Sequence, residues 1–246
     1  MGGVLRKWGI LGGLLVALPC WVSAMNADEL IAKNIEARGG LDAIRAIHSL
    51  ERGGRLQAGG FEADVAEFKR PGKVRSEFSI QGMTQVRAYD GQDAWTISPF
   101  GGRKDPQKLS ADDIKDLGIE ADLEGPLVDY AKKGHTAEYL GTEDIDGTAA
   151  HKLRVTYANG NEAVYYFDPD YFLEIRIVSK SWYRGSAFEG ETDLGDYERV
   201  NGVYLPFSVA SGAKGSAQKS TVTYDRTEAN GDLADSLFAF PQGAKP

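Results

Sequence analysis

Residues 164–177 of this 246-residue chain read VYYFDPDYFLEIRI, and this stretch decides how the fold is interpreted. Two strand-like runs flank a turn that contains Pro169. A strand with one solvent-exposed face alternates apolar and polar side chains. Residues 164–167 are instead four consecutive apolar or aromatic residues. The stretch therefore predicts a sheet whose second face is also covered, and we expect helices and an apolar ligand to cover it.

The same strand-like pattern continues outward from this stretch in both directions. From about Ser49 the apolar residues follow a period of two, which is typical of half-buried strands. Asp-Gly and Asn-Gly pairs favour tight hairpin turns, and they begin at Asp90, Asp146, Asn159 and Asn201. Residues 99–108 contain Pro106 and two glycines, which indicates a loop. Together these signals predict ten or more antiparallel strands.

Helical signals occur at the start of this region and once within it. Asn26 can cap a first helix, and an apolar stripe at helical spacing follows it, leading to a second short helix near residues 41–47. Ser110 resembles a further helix start and Gly134 a helix end, which predicts helix over residues 110–133. The fold class predicted from these patterns is mainly β (α+β).

The N-terminus has the pattern of an export signal. Two basic residues precede an apolar run, residues 8–17, and residues 22–24 (VSA) match the small-x-small pattern of a cleavage site. The run is shorter than the ~20 residues that a membrane span needs. We therefore predict that residues 1–24 are a cleaved signal peptide and that residues 25–246 form a single domain; the alternative is an uncleaved anchor helix.

Cysteine content and charge restrict the compartment and the partners. Cys20 is the single cysteine and lies in the predicted signal, so the mature chain would have no disulfide and no thiolate nucleophile. An exported protein without disulfides suggests the bacterial periplasm. The net charge of −8 at pH 7 disfavours binding to nucleic acid and to anionic lipid surfaces. We expect a periplasmic monomer that binds no nucleic acid and does not insert stably into membranes.

The sequence lacks the motifs of common enzyme classes. Its three histidines, His48, His135 and His151, form no H-x-H or H-E-x-x-H pair, whereas a zinc site needs three or four converging ligands. No Gly-x-Ser-x-Gly elbow and no phosphate-binding glycine motif occurs. We therefore predict no catalytic residue, no cofactor and no metal.

Several short motifs, in a fixed order, indicate a family. They are FKRPGKVR at residues 68–75, YDG at 89–91, Trp95, Pro99, GPLVDY at 125–130, DY at 196–197, GVYLP at 202–206 and FP at 240–241. In this order they resemble the periplasmic lipoprotein-carrier (LolA-like) family, and its outer-membrane lipoprotein-sorting branch in particular. The resemblance covers nearly all of the predicted mature chain.

This resemblance implies an incomplete antiparallel β-barrel with helices covering its concave apolar face. In the family, the arginine of the K-R-P motif bonds to the lid helices and holds the cavity closed, and that residue is Arg70 here. On this basis the predicted ligand-binding residues of cavity and lid are Arg70, Phe78, Val86, Trp95, Leu127, Tyr165, Phe167 and Ile175. The alternatives are that Arg70 is a surface charge beside a turn and that Trp95 belongs to the ordinary core.

The function implied by this resemblance is a carrier that binds the acyl chains of lipoproteins or lipids for transfer toward the outer membrane. A membrane-bound donor or acceptor protein would then be its partner. Burial of each methylene contributes about 0.8 kcal/mol, so a chain can be held without specific polar recognition. Two alternatives stay open: an envelope module that senses lipids or lipoproteins, and an exported hydrolase in which His135 or His151 would act.

Overall fold

The fold is taken from a computed structural model that describes residues 25–183 and 186–241, without the side chain of residue 183. The predicted signal peptide and its cysteine lie outside the described residues.

Thirteen antiparallel strands form one sheet in the described part of the chain. They are β1 (Leu50–Ala58), β2 (Phe61–Arg70), β3 (Lys73–Ile80), β4 (Met83–Tyr89), β5 (Ala94–Ser98), β6 (Arg103–Lys108), β7 (Thr136–Ile145), β8 (Thr148–Thr156), β9 (Glu162–Phe167), β10 (Glu174–Tyr183), β11 (Ser186–Val200), β12 (Val203–Ala213) and β13 (Ser220–Ala229). Their order across the sheet is β6-β5-β4-β3-β2-β1-β13-β12-β11-β10-β9-β8-β7. The edge strands β6 and β7 do not pair with each other, so the sheet is open, and the predicted mainly-β, incompletely closed architecture is confirmed.

Two of the predicted hairpin turns have the backbone that their sequences favour. Asp146 and Gly147 have φ angles of 52° and 88°, and Asn201 and Gly202 have φ angles of 45° and 90°. Positive φ at both central residues is the geometry of a tight primed turn, which matches the right-handed twist of the flanking strands.

In the described residues three α-helices accompany the sheet: α1 (Ala27–Ala37), α2 (Leu41–Arg45) and α3 (Ala111–Glu120). Short 3₁₀ turns occur at Pro99–Gly101 and Asp235–Leu237. Asn26 caps α1 as predicted, since its side chain accepts a hydrogen bond from the Glu29 amide at 2.9 Å. Within the described residues, no helix has the length and apolarity needed to cross a lipid bilayer.

Two sequence-based predictions of secondary structure were wrong. The helix predicted over residues 110–133 ends at Glu120, and residues 121–134, which we call the turn segment, form successive turns. Gly125 and Asp129 in this segment have φ angles of 88° and 51°, and Pro126 cannot donate the backbone hydrogen bond that would continue a helix.

The loop predicted over residues 99–108 is instead a 3₁₀ turn followed by strand β6. Pro106 is compatible with this strand because β6 lies at the edge of the sheet, where a missing N–H can face away from the neighbouring strand.

All three helices pack on the same face of the sheet, which we call the inner face. Leu30 of α1 is buried on the part of the sheet formed by β8 and β9. Ile44 of α2 packs with Val203 of β12, and Leu117 of α3 packs with Val74 of β3. The pairing registers place these strand residues on one continuous face.

The run at residues 164–167 is buried from both sides. Tyr165 and Phe167 lie on the inner face in one buried cluster with residues of α1 and the turn segment, and Phe167 is fully buried. Tyr166 lies on the opposite face, which we call the outer face, and Lys152 extends over its ring at 5.7 Å. The predicted cover on the second face is therefore present as helix and turn.

The C-terminal segment, residues 232–241, packs against the outer face. Trp95 is 1 % exposed, and its Nε1 donates to the Phe238 carbonyl at 2.8 Å. The ring of Phe240 lies 6.3 Å from that of Trp95, and Arg75 donates to the Leu237 carbonyl at 2.9 Å. These contacts attach residues 237–240 to the outer face.

Candidate functional site

A cavity of about 640 Å³ lies between α3, the connection from α2 to β1, and the turn segment. We call it the helix cavity. Ile47, Ile119, Leu123 and Tyr157 contribute apolar side chains to its lining. Its volume falls within the range of roughly 300–1,000 Å³ that is typical of small-molecule pockets.

Part of this space exists because residue 118 of α3 is glycine. Gly118 lines the helix cavity, and a Cβ added there would meet no atom within 4 Å. Glycine inside a helix costs about 0.5–1 kcal/mol relative to alanine. A larger residue at this position would stabilise α3 and fill the cavity.

The cations that line the helix cavity are each paired with a carboxylate. The pairs are Arg45 with Asp129 at 2.6 Å, Lys133 with Asp122 at 2.6 Å, and Lys115 with Asp112 at 3.2 Å. The charge of the lining is therefore largely neutralised by the protein's own groups, which favours an uncharged, apolar occupant.

The histidines lie in separate environments. His135 lines the helix cavity; burial lowers its pKa, and its Nδ1 accepts a hydrogen bond from the Ala158 amide at 3.1 Å. His151 lies 3.1 Å from the Tyr139 hydroxyl and stacks on Phe172. In residues 25–183 and 186–241, no group of three or more His, Cys, Asp or Glu side chains is arranged to hold a metal ion.

A row of polar residues crosses the inner face below α3. Paired residues on neighbouring strands have their side chains on the same face, and the register aligns Thr227, Arg52, Glu67, Ser76, Arg87 and Thr96 on β13, β1, β2, β3, β4 and β5. We call these six residues the polar row. The inner face is therefore not uniformly apolar, contrary to the expectation drawn from the sequence.

Two members of the polar row have close partners of their own. Glu67 pairs with Lys69 at 2.9 Å; burial opposes its charged form, but Lys69 and Arg52 outweigh this and hold the pKa of Glu67 below its usual value. Arg52 donates to the Pro206 carbonyl, and its guanidinium stacks 3.5 Å from the centre of the Tyr224 ring.

Helix α3 places two carboxylates against the polar row. Ser76 Oγ lies 3.4 Å from Glu120 Oε1, and Arg87 lies 3.7 Å from Asp113. Burial raises the pKa of Glu120, and attraction to Lys69 only partly offsets this. The contact between α3 and the sheet is thus partly electrostatic.

A second cavity, of about 270 Å³, adjoins the polar row on the inner face. We call it the sheet cavity. Glu67, Ser76, Arg87 and Tyr224 provide polar lining, and Leu56, Val65, Phe78 and Val222 provide apolar lining. The cavity therefore joins a polar end to an apolar end.

Comparison with known proteins finds similarity in the fold but not in the sequence. No family model and no curated protein matches the sequence. Solved structures do match: a LolA superfamily protein from Nitrosomonas europaea has a TM-score of 0.58 at 15 % identity, covering 88 % of this chain and 98 % of that one. A DUF1329 family protein from Desulfovibrio piger has a TM-score of 0.59 at 12 % identity, covering 87 % and 97 %.

An outer-membrane lipoprotein-sorting protein domain from Vibrio parahaemolyticus has a TM-score of 0.56 at 11 % identity, covering 86 % of this chain and 95 % of that one. The chain has the LolA-like fold. At these identities the similarity establishes the architecture, and the resemblance seen in the motifs is confirmed at that level.

Within this LolA-like fold, three of the predicted site residues lie together in one cluster, and a fourth, Ile175, lies outside it. Leu127, Tyr165 and Phe167 are buried members of the cluster beneath α1. Ile175 lies at a register irregularity of β10, between Glu174 and Arg176, and is partly buried.

Three other predicted residues are divided between the two faces. Phe78 pairs with Gln85 on the inner face and lines the sheet cavity. Val86 and Trp95 lie on the outer face in a separate buried cluster with Phe240. A predicted set that combined Phe78 with Val86 and Trp95 therefore does not form one surface, because successive side chains along a strand point to opposite faces and the register places Gln85, not Val86, beside Phe78.

Arg70 also lies on the outer side, at the end of β2. The LolA-like resemblance implied a bond from Arg70 to the lid helices. In the structure Arg70 Nη1 donates to the Leu233 carbonyl at 2.9 Å and to Asp235 at 3.0 Å, both in the C-terminal segment. A role for Arg70 in lipid handling stays a prediction.

Sequence reasoning missed Gly118 and the polar row. The signal for the polar row was that Glu67 and Lys69 follow Val65 at every second position of β2 and therefore lie on the same face as Val65. This pattern identifies a face, but the alignment of Arg52 and Arg87 beside it depends on strand pairing.

Proposed function

We propose that the protein is a periplasmic carrier that binds acyl chains of lipids or lipoproteins on the helix-covered inner face of its sheet. The observation that supports this most directly is the helix cavity, which is bounded by residues of helices and turns and has apolar lining. The LolA-like fold supports the same assignment, since two of the structurally similar proteins belong to the LolA superfamily and to lipoprotein sorting. A membrane-bound donor or acceptor protein is the expected partner.

The energetics favour this proposal over recognition by polar contacts. Each buried methylene contributes about 0.8 kcal/mol, so an alkyl chain gains several kcal/mol before the entropic cost of binding is subtracted. The paired cations of the helix cavity offer little net charge to a ligand. An aliphatic chain therefore fits this cavity better than a small ionic metabolite.

The test is a substitution that fills the helix cavity without removing a contact. Gly118→Leu adds a side chain into open space and improves helix propensity. We expect it to weaken binding of a fluorescent fatty acid about tenfold or more while the protein stays as stable as, or more stable than, the wild type. Fluorescence titration and chemical denaturation measure the two effects.

Gly118→Ala is the matched control, because it gives most of the gain in helix propensity and adds only one methyl group. It should bind the fluorescent fatty acid like the wild type. Native mass spectrometry of wild-type protein purified from cells should also reveal co-purified lipid. Protein that is always empty and does not take up fatty acid would refute the proposal.

A further inference from the structure

The sheet cavity differs from the helix cavity in how closely its cations are paired with carboxylates. Arg87 has a long ion pair: it lies 3.7 Å from Asp113, is attracted at longer range by Asp116 and Glu120 of α3, and its side chain is 37 % exposed. In the described residues, Arg87 has no side-chain hydrogen bond of ordinary length, whereas Glu67 and Lys69 form a close pair. The guanidinium can therefore accept an additional anionic partner.

An apolar strip leads from Arg87 to the open end of the inner face. Phe78 lies in the sheet cavity, and its ring contacts Phe100 at 5.6 Å and Phe61 at 6.4 Å. Phe61 and Phe100 are 45 % and 41 % exposed. Strand β3 ends at Ile80, which lies four positions after Ser76 of the polar row, a distance of about 13 Å along the strand.

This arrangement matches the shape of a single-chain amphiphile. An anionic head group at Arg87 would receive charge-assisted hydrogen bonds, which are the strongest hydrogen bonds that proteins make and which arginine forms with carboxylates and phosphates in bidentate geometry. The alkyl chain would lie along Val65 and Phe78 toward the exposed aromatic rings.

We propose that the sheet cavity is a second lipid subsite, selective for amphiphiles with an anionic carboxylate or phosphate head group that is bound by Arg87. This inference rests on the proposed function, because it assumes that the protein takes up amphiphiles. It adds selectivity by head group, which the neutralised helix cavity does not provide.

The test compares three ligands of equal chain length: dodecanoate, dodecyl phosphate and dodecan-1-ol. Calorimetric titration is done on the wild type and on the Gly118→Leu protein, in which a leucine side chain occupies part of the helix cavity. In Gly118→Leu we expect the two anions to bind about tenfold more tightly than the alcohol, because one charge-assisted interaction is worth about that factor. The stronger of the two anions identifies a fatty acid or a phospholipid as the source of the head group.

Arg87→Gln, made in the Gly118→Leu protein, should abolish the difference between the anions and the alcohol while the affinity for the alcohol is retained. Arg87→Lys should restore part of the difference. Arg154→Gln is the matched control, because it removes the same charge from an exposed position on β8 that pairs with Glu138. It should leave the selectivity intact.

Three results would overturn this inference and leave the proposed function standing: equal affinities for all three ligands in Gly118→Leu, binding that occurs in the wild type alone, or an equal loss of all three affinities in Arg87→Gln. If the wild type binds none of the ligands, the proposed function fails together with the inference.

Discussion

At the scale of single residues, the charged groups beneath α3 are the least expected feature of the protein. Removing a charge from water is costly unless a partner compensates for it. Glu67 and Lys69 compensate each other at 2.9 Å, whereas Glu120 has a weaker set of partners and its pKa is raised by burial. The burial of Glu120 therefore lowers the free energy of unfolding when its carboxylate is charged.

The raised pKa of Glu120 predicts a dependence of stability on pH. Because the folded protein holds this proton at pH values where the unfolded chain has lost it, the free energy of unfolding falls as pH rises from the ordinary carboxyl pKa of about 4.3 through the raised value. Glu120→Gln should reduce this fall and make the protein more stable at pH 7. Urea denaturation across a pH series measures it.

Glu198→Gln, at an exposed position of β11, is the control for the loss of one carboxylate. It should leave the pH profile of stability unchanged. A wild-type profile without any decline above pH 5, or an identical decline in Glu120→Gln, would contradict the assignment.

At the scale of elements, the C-terminal segment attaches to strands β2, β3 and β5 from the outer face. Its contacts are specific, since Trp95, Arg75 and Arg70 each donate to one of its backbone carbonyls. Buried carbonyls that lose a donor cost free energy, so this segment contributes to the stability of the half of the sheet that carries α3.

The substitution Arg70→Leu tests whether Arg70 stabilises the fold or acts as a latch on the lid helices. Because Arg70 bonds to the carbonyl of the 9 %-exposed Leu233, we expect the substitution to lower the free energy of unfolding by about 1–2 kcal/mol and to leave fatty-acid affinity unchanged. Denaturation and fluorescence titration test the two expectations.

Lys73→Met is the matched control for Arg70→Leu, since Lys73 shares the exposed ion pair with Asp235 but, among the described contacts, does not donate to the Leu233 carbonyl. Its effect on stability should be smaller, because exposed ion pairs contribute little. Altered lipid retention in Arg70→Leu at unchanged stability would instead support the latch role implied by the family.

At the scale of the whole molecule, α3 lines one cavity and contacts two residues, Ser76 and Arg87, that line the other. Its residues line the helix cavity on one side, and its carboxylates contact the polar row on the other. A ligand that binds in either cavity must alter the environment of α3, since a packed element responds to any change on its buried faces.

Hydrogen exchange should detect this coupling. We expect the amides of α3 to be less protected than those of the central strands β1, β2 and β13 in the empty protein, because short surface helices open locally at low cost. Addition of dodecanoate should increase protection of α3 and leave the central strands unchanged. Equal protection of α3 with and without ligand would show that it does not take part in binding.

Local sequence patterns were enough to predict the fold class, the hairpin turns at Asp146 and Asn201 and the helix start at Asn26. These depend on local signals: hydrophobic period, residues that tolerate positive φ, and capping side chains. The same local reading extended α3 too far and missed β6, since turn-rich sequence alone does not distinguish a loop from an edge strand.

Strand pairing, which a single-strand pattern does not specify, sets which side chains share a surface. Shifting the pairing of a strand by one residue moves every side chain to the other face, so the alignment of Arg52, Glu67 and Arg87, and the separation of Phe78 from Trp95, follow from the registers of the successive hairpins between β1 and β5. The space beside Gly118 depends both on the missing side chain and on how α3 packs near the turn segment. Cavities and charged rows depend on strand register and on packing between elements, which the hydrophobic pattern of one element does not specify.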